Sequence, residues 1–181
     1  MKTCKAVESD ESLAARAASG SRAAFFELYQ RYAPRVHALA LRMLGDSHLA
    51  HDLTQDVFAR AWASVRSIDP ARKVAPWLIR VASNRIVDEL KRRRRWTTMA
   101  EDDRIPDDAP RPENVVLWRE ELGRIREALG RVPEGLRMVL LLVFQEQMSH
   151  EQVAETLGIT VNLVRVRLFR GLRRLQGELS P

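Results

Sequence analysis

The charge of this chain reverses near its middle, and that reversal limits what it can fold into. Residues 80 to 95 carry seven Lys or Arg against two acids, whereas residues 96 to 121 carry three Arg against eight acids. The acidic stretch contains AEDDRIPDDAPRPEN, rich in Asp and Pro and poor in apolar side chains. Such a segment buries too little surface to offset the entropy of ordering it, so it reads as an extended linker. It separates a first block, residues 10–95, from a second, residues 113–178, with the linker at 96–112. A length of 181 residues leaves room for two small domains of this size.

Both blocks read as helical. Eight Gly and eight Pro are few for a loop-rich β protein, and no strand alternation is present, so the expected fold class is all-α. In the first block Asp10 is placed to cap a short helix that ends at Gly20. Ser21 then caps a longer one through Phe25, Leu28, Tyr32, Val36, Leu39 and Met43, closing at Gly45. Pro34 lies inside it and predicts a break or kink. Ser47 opens a third helix with Leu49, Leu53, Val57 and Trp62, and a polar loop follows at 66–75. Pro76 suits the first turn of a fourth helix, whose Ile79, Ala82, Ile86 and Leu90 share one face. The second block predicts helices near 113–130, 133–145, 149–157 and 160–177. Ser149 and Gln152 form a capping-box pattern there, and Gly158 supplies a turn.

The last two of these helices have the form of a helix-turn-helix. Val153, Ala154 and Leu157 make the buried side of the first, and Thr160 caps the second. Val164, Leu168, Leu172 and Leu175 follow helical spacing as its core stripe. The opposite face carries Asn162, Val166, Phe169 and Arg173, flanked by Arg165 and Arg170. A helix presenting amide, guanidinium and apolar groups suits the major groove. There Arg reads guanine, Asn reads adenine and an aliphatic group meets the thymine methyl. The plainer alternative is a basic helical hairpin with a solvated face, and Phe169 is equally suited to packing on the preceding helix.

The fourth helix carries a second basic surface. Opposite its apolar stripe lie Asn84, Asp88, Lys91 and Arg95, with Trp77 and Val81 beside them, and it finishes in KRRRR. Those cations can neutralise phosphates and release counterions. An arginine run is also common as a solvated helix end favoured by the macrodipole. Amide and aromatic groups beside it suit unstacked bases, although Trp77 fits core packing as well.

Taken in order, these motifs resemble the extracytoplasmic-function sigma factors. AFFELYQRYAPRVHALALRMLGD looks like the start of their region 2, and HDLTQDVFARAWASV is similar to their polymerase-binding helix. PWLIRVASNRIVDELKRRRR looks like the segment that melts and reads the −10 element. The stretch from LGRVPEGLRMVLLLVF through SHEQVAETLGITVNLVRVRLFRGLRRL matches region 4 nearly end to end. The resemblance implies that Asp52, Gln55, Asp56, Phe58 and Trp62 dock on the polymerase clamp. It places Asn84, Arg85, Asp88, Lys91 and Arg92 at the −10 strand, joined on the same face by Trp77 and Arg95. It assigns the −35 duplex to Asn162, Leu163, Arg165, Val166, Arg167, Phe169, Arg170 and Arg173. The loop Ile68–Ala75 corresponds to the one that receives a flipped base, and the linker to the segment that threads toward the polymerase active centre. In the family the recognition helix commonly reads Gly-Thr-Val-Lys-Ser-Arg. Here it is Asn162, Leu163, Val164, Arg165, Val166, Arg167, which implies a different −35 sequence. The partners implied are core RNA polymerase, promoter DNA and an anti-sigma protein, with no cofactor.

Other classes fit less of the chain. A one-component regulator explains the helix-turn-helix but not the basic fourth helix with its Asn and Trp. Catalysis is not expected: there is no Gly-rich phosphate loop or nucleophile elbow. His48 and His51 beside Asp52 make a poor metal set without Cys support. A single cysteine, Cys4, excludes an intramolecular disulfide and suits a reducing cytoplasm. The N-terminus does not read as a signal peptide, and the longest apolar run, Met138 to Phe144, is too short to span a bilayer. A net charge of +6 suits a polyanionic partner.

Overall fold

The computed structural model describes residues 8–67, 73–99 and 118–179. Every regular element among them is a helix. In the first block these are α1 (Asp10–Ala18), α2 (Arg22–Leu44), α3 (Ser47–Ser64) with a 3-10 turn (Val65–Ser67), and α4 (Val74–Met99). In the second they are α5 (Trp118–Arg131), α6 (Glu134–Leu140) continuing as a π segment (Leu141–Gln145), α7 (His150–Leu157) and α8 (Val161–Leu179). Residues 68–72 of the expected loop, the linker from residue 100 and the expected helix start at 113–117 lie outside the described residues. So do the side chains of Arg94 and Arg95.

Local chemistry sets most helix ends. Ser21 accepts the Ala24 N–H at 3.3 Å, and Gly45 closes α2 in the left-handed region at φ 70°. The expected capping box is present: Ser149 Oγ accepts the Gln152 N–H at 3.2 Å, and Gln152 Oε1 accepts the Ser149 N–H at 2.8 Å. Thr160 Oγ1 accepts the Leu163 N–H at 3.2 Å and starts α8.

Three details differ from expectation. The cap of α1 is Ser9, which accepts the Ser12 N–H at 3.2 Å. Asp10 is instead the first helical residue, and its carboxylate receives Arg31 at 2.6 Å and the Tyr32 hydroxyl from α2. Ser47 opens α3 as expected, with Asp46 as its cap, accepting the Leu49 N–H at 3.0 Å. Pro34 does not break α2, which runs through it with Tyr32, Val36 and Leu39 all buried. Packing of that face against the core outweighs the one hydrogen bond that proline removes. The third concerns α8, where Leu172 is 42% exposed and Gly171 is buried in its place. A β-carbon at Gly171 would stand 3.1 Å from the Leu140 side chain, so the missing side chain lets α8 close on α6. The stripe therefore steps through Val164, Leu168, Gly171 and Leu175.

The core of the first block forms where α2, α3 and α4 meet, around Leu28, Val36, Leu39, Val57, Ile79 and Ile86. Val139, Leu142, Val153 and Val164 do the same for the second. Ile79, Ala82, Ile86 and Leu90 all face inward, so Asn84 and Asp88 on the opposite side of α4 are exposed, while its Arg80 flank meets Glu155 of α7.

Candidate nucleic-acid interface

With its apolar stripe fixed inside, α4 turns Asn84, Asp88, Lys91 and Arg92 outward. Trp77 is half-buried against the core and shows only part of its ring, so packing and base contact share it. Arg85 is not free: its Nε donates to Asp56 on α3. Asp56 also meets Arg60 at 3.2 Å. Burial pushes the Asp56 carboxyl up, but Arg85 and then Arg60 more than offset this and hold it below the ordinary carboxylate range. Farther along, Arg92 makes two bonds to Glu89, at 2.7 and 2.9 Å. These hold the nearly buried Glu89 carboxyl below its ordinary range.

On α3, Asp52 and Gln55 are exposed and Trp62 is half-buried. Phe58 is not available for docking, because it is 4% exposed. It lies under Tyr29, with ring centroids 4.9 Å apart, and beside Phe25. An aromatic row thus runs from Trp62 through Phe25, Phe58 and Tyr29 to Phe26, which is 57% exposed on α2. Phe58 supports the α3 surface from below. The sequence reading missed both this row and the Asp56–Arg85 tie, since each depends on what another helix brings.

The outer face of α8 is largely as expected. Asn162, Leu163, Arg165, Val166, Phe169, Arg170 and Arg173 are all exposed. Phe169, 60% exposed, does not pack on the preceding helix; the Arg173 guanidinium sits 5.0 Å over its ring. Arg167 departs from this set. It is half-buried and lines a cavity of about 370 Å³ together with Met43 and Lys91 of the first block. Among the described residues no three His, Cys, Asp or Glu side chains converge as a metal set, and no helix is long and apolar enough to cross a membrane.

The arrangement matches known proteins along most of its length. The family model of Sigma-70 region 2 fits residues 28–96, and that of Sigma-70, region 4 fits residues 122–175. The chain is 34% identical over 169 residues to the ECF RNA polymerase sigma factor SigE of Mycolicibacterium smegmatis, covering 90% of this chain and 65% of that one. It is 33% identical over 183 residues to the RNA polymerase sigma factor CnrH of Cupriavidus metallidurans, covering 96% and 95%. The solved structure of CnrH in complex with the cytosolic domain of CnrY superposes with a TM-score of 0.69 at 31% identity, over 95% of this chain and 97% of that one. Sigma factor RpoE in complex with the anti-sigma factor NepR from Bartonella quintana shares the fold, with a TM-score of 0.73 at 24% identity over 86% and 96%. With both sigma regions present in order, and relatives that match it nearly end to end, the chain belongs to the extracytoplasmic-function sigma factors, initiation factors that bind RNA polymerase and direct transcription.

Proposed function

We propose a division of labour among three helices of this sigma factor. The exposed part of α3, with Asp52, Gln55 and the edge of Trp62, docks on core RNA polymerase, and Asp56 orients it through Arg85. The outer face of α4, with Asn84, Asp88, Lys91, Arg92 and the visible part of Trp77, handles the opened −10 strand. The outer face of α8 reads −35 duplex with Asn162, Arg165, Val166, Arg170 and Arg173. The observation that carries this reading is the exposure of amide and guanidinium groups on two separate helices whose apolar stripes turn to the core.

The functional units are residues 10–95 and 113–178, joined by the acidic linker 96–112, with α4 running on to Met99. The protein acts without catalysis, in the cytoplasm, and an anti-sigma protein restrains it, the kind of partner that RpoE, which shares the fold, holds in its complex with NepR. The test is run-off transcription with purified core polymerase on genomic fragments, followed by start-site mapping. Factor-dependent transcripts from a common promoter pattern are expected. Sequence-specific binding to duplex DNA by the factor alone, with no effect on core polymerase, would favour a one-component regulator.

A further inference from the structure

A lone exposed aromatic ring is common on protein surfaces. Phe26 on α2, 57% exposed, differs in being held. Its ring stacks on Tyr29, with centroids 6.1 Å apart and planes 12° from parallel. Tyr29 in turn rests edge-on against the buried Phe58, at 4.9 Å and 71°. Phe26 is thus propped from the core outward, which leaves little side-chain freedom for a partner to remove on binding.

The support beneath this ring is the side chain that the sequence offers as an aromatic docking group of α3. Phe58 is sealed at 4% exposure and turns its ring to α2. What α3 exposes around it is polar or small: Asp52, Gln55, Ala59 and Ala63, with Trp62 half-buried. Polar groups of this kind set register and orientation, whereas a protein interface takes most of its affinity from a few aromatic or apolar anchors. Trp62 and Phe26 are the two open ends of one aromatic row, joined through Phe25, Phe58 and Tyr29. The row crosses from α3 to α2, so the apolar part of the docking surface continues onto the neighbouring helix.

The surroundings of Phe26 suit an anchor set within a polar rim. Arg22 and Gln30, one turn before and one turn after it on α2, are both exposed. The adjacent Glu27 carboxylate accepts from Arg31 at 2.5 Å, and Arg31 also meets Asp10 of α1, so that acid is already matched. Phe26 keeps roughly 100 Å² of apolar surface to bury, enough for a tenfold or larger change in affinity when only part of it is covered. The region 2 family model fits residues 28–96, so that match assigns Phe26 no role.

We infer that Phe26 is an aromatic anchor of the polymerase-docking surface, which spans α2 as well as α3 and seats this ring in an apolar recess of the core enzyme. Tyr29 is its positioning residue, touching Phe26 on one side and Phe58 on the other. The inference rests on the assignment of α3 to polymerase made above.

The test uses the full chain, labelled with a fluorophore at Cys4, its single cysteine, and titrated with purified core polymerase. Phe26→Ala should lower affinity for core by about tenfold or more. Its thermal melting should stay within about 2 °C of wild type, because the side chain is exposed. A second measurement needs no variant: hydroxyl-radical footprinting of the wild-type factor should show Phe26 oxidised several-fold less in the holoenzyme than in the free chain. Wild-type affinity in Phe26→Ala overturns the proposal, even where binding to an anti-sigma protein is lost. Equal oxidation of Phe26 in the free factor and the holoenzyme overturns it as well. Full core affinity in Gln55→Ala would sink the assignment of α3 instead, and the Phe26 measurements would still judge the anchor.

Discussion

The Asp56–Arg85 tie joins α3 to α4, the helices proposed above to dock on polymerase and to handle the opened strand, and Asp56→Asn tests it while preserving side-chain shape. The Asp56–Arg60 pair is an exposed (i, i+4) contact worth roughly 0.3–0.5 kcal/mol. The Arg85 pair is better sheltered, with the arginine 22% exposed and the aspartate 37%, and contributes about 1 kcal/mol after allowance for solvent screening. The expected loss is therefore about 1.5 kcal/mol, which lowers the melting temperature by about 3–6 °C in a protein of this size. The pH dependence has a definite sign. The folded-state carboxyl titrates below its ordinary value of 3.8, so its stabilisation is present above that value and is lost as pH falls through the folded-state pKa. Wild type and Asp56→Asn should thus differ by a constant amount from pH 7 to about pH 5 and converge in stronger acid. Urea unfolding of Asp56→Asn, Arg85→Gln and the double variant gives the coupling directly. A coupling near 1 kcal/mol is expected, and one below about 0.3 kcal/mol would refute the tie. Asp56→Arg is the wrong probe of docking, because it sets a third guanidinium against Arg60 and Arg85 and disturbs the domain as well as the surface.

Three further outcomes are expected. Asn84→Ala should reduce permanganate reactivity of the opened −10 strand while leaving thermal stability within about 0.5 kcal/mol of wild type, since the side chain is exposed; an unchanged footprint removes Asn84 from the melting surface. Gln55→Ala should weaken pull-down of core polymerase by a stable protein, whereas Phe58→Ala should lower stability by about 3–5 kcal/mol because it empties a packed aromatic site; intact stability of Phe58→Ala would contradict its burial. Gln147 has a left-handed backbone at φ 52°, so Gln147→Gly should stabilise the protein by roughly 0.5–1 kcal/mol, read as a higher melting temperature.

Much of the fold was legible because the signals that start and stop these helices are local. Ser21, Ser149 with Gln152, Gly45 and Gly158 each act within a few residues of themselves, and one chain is enough to read them. What failed depended on a neighbour brought from elsewhere. Phe58 and Trp62 are both aromatic and one turn apart on α3, and only the position of Phe25 and Tyr29 on α2 decides which is sealed in. Leu172 outranks Gly171 on any scale of hydrophobicity, yet the close approach of Leu140 reserves the inward position for the glycine. Arg167 lies one step from the outward face of α8 and turns toward the first block, a direction that its own helix does not encode. The two exposed polar faces on α4 and α8 were readable because exposure on an amphipathic helix is the complement of its apolar stripe. The contact between α2 and the second block was not, since nothing local marks Arg35 and Glu146, 111 residues apart, as partners.

The end of α4 offers less positive charge to DNA than its sequence suggests. Counted in sequence, KRRRR is five cations in a row. Arg92 is held by Glu89 in a two-bond pair. Arg93 lies 3.6 Å from Glu89 and 3.7 Å from Asp46, and donates to the Leu44 carbonyl at the C-terminal end of α2 at 3.4 Å. A cation there sits at the negative end of the α2 dipole and serves to fasten α4 to α2. A phosphate approaching either arginine competes with a carboxylate already in place, and so displaces fewer counterions than an unpaired cation would. The first block therefore contributes less to the salt dependence of binding than its charge count suggests. Arg165 and Arg170 on α8 are exposed and face the proposed duplex site, Arg165 feeling the charge of Glu151, so more of that dependence falls to the second block. Glu89→Gln follows as a discriminating change. It frees Arg92 and Arg93 from their shared acid, and it should steepen the salt dependence of promoter binding by the holoenzyme by about one ion while loosening α4 from α2.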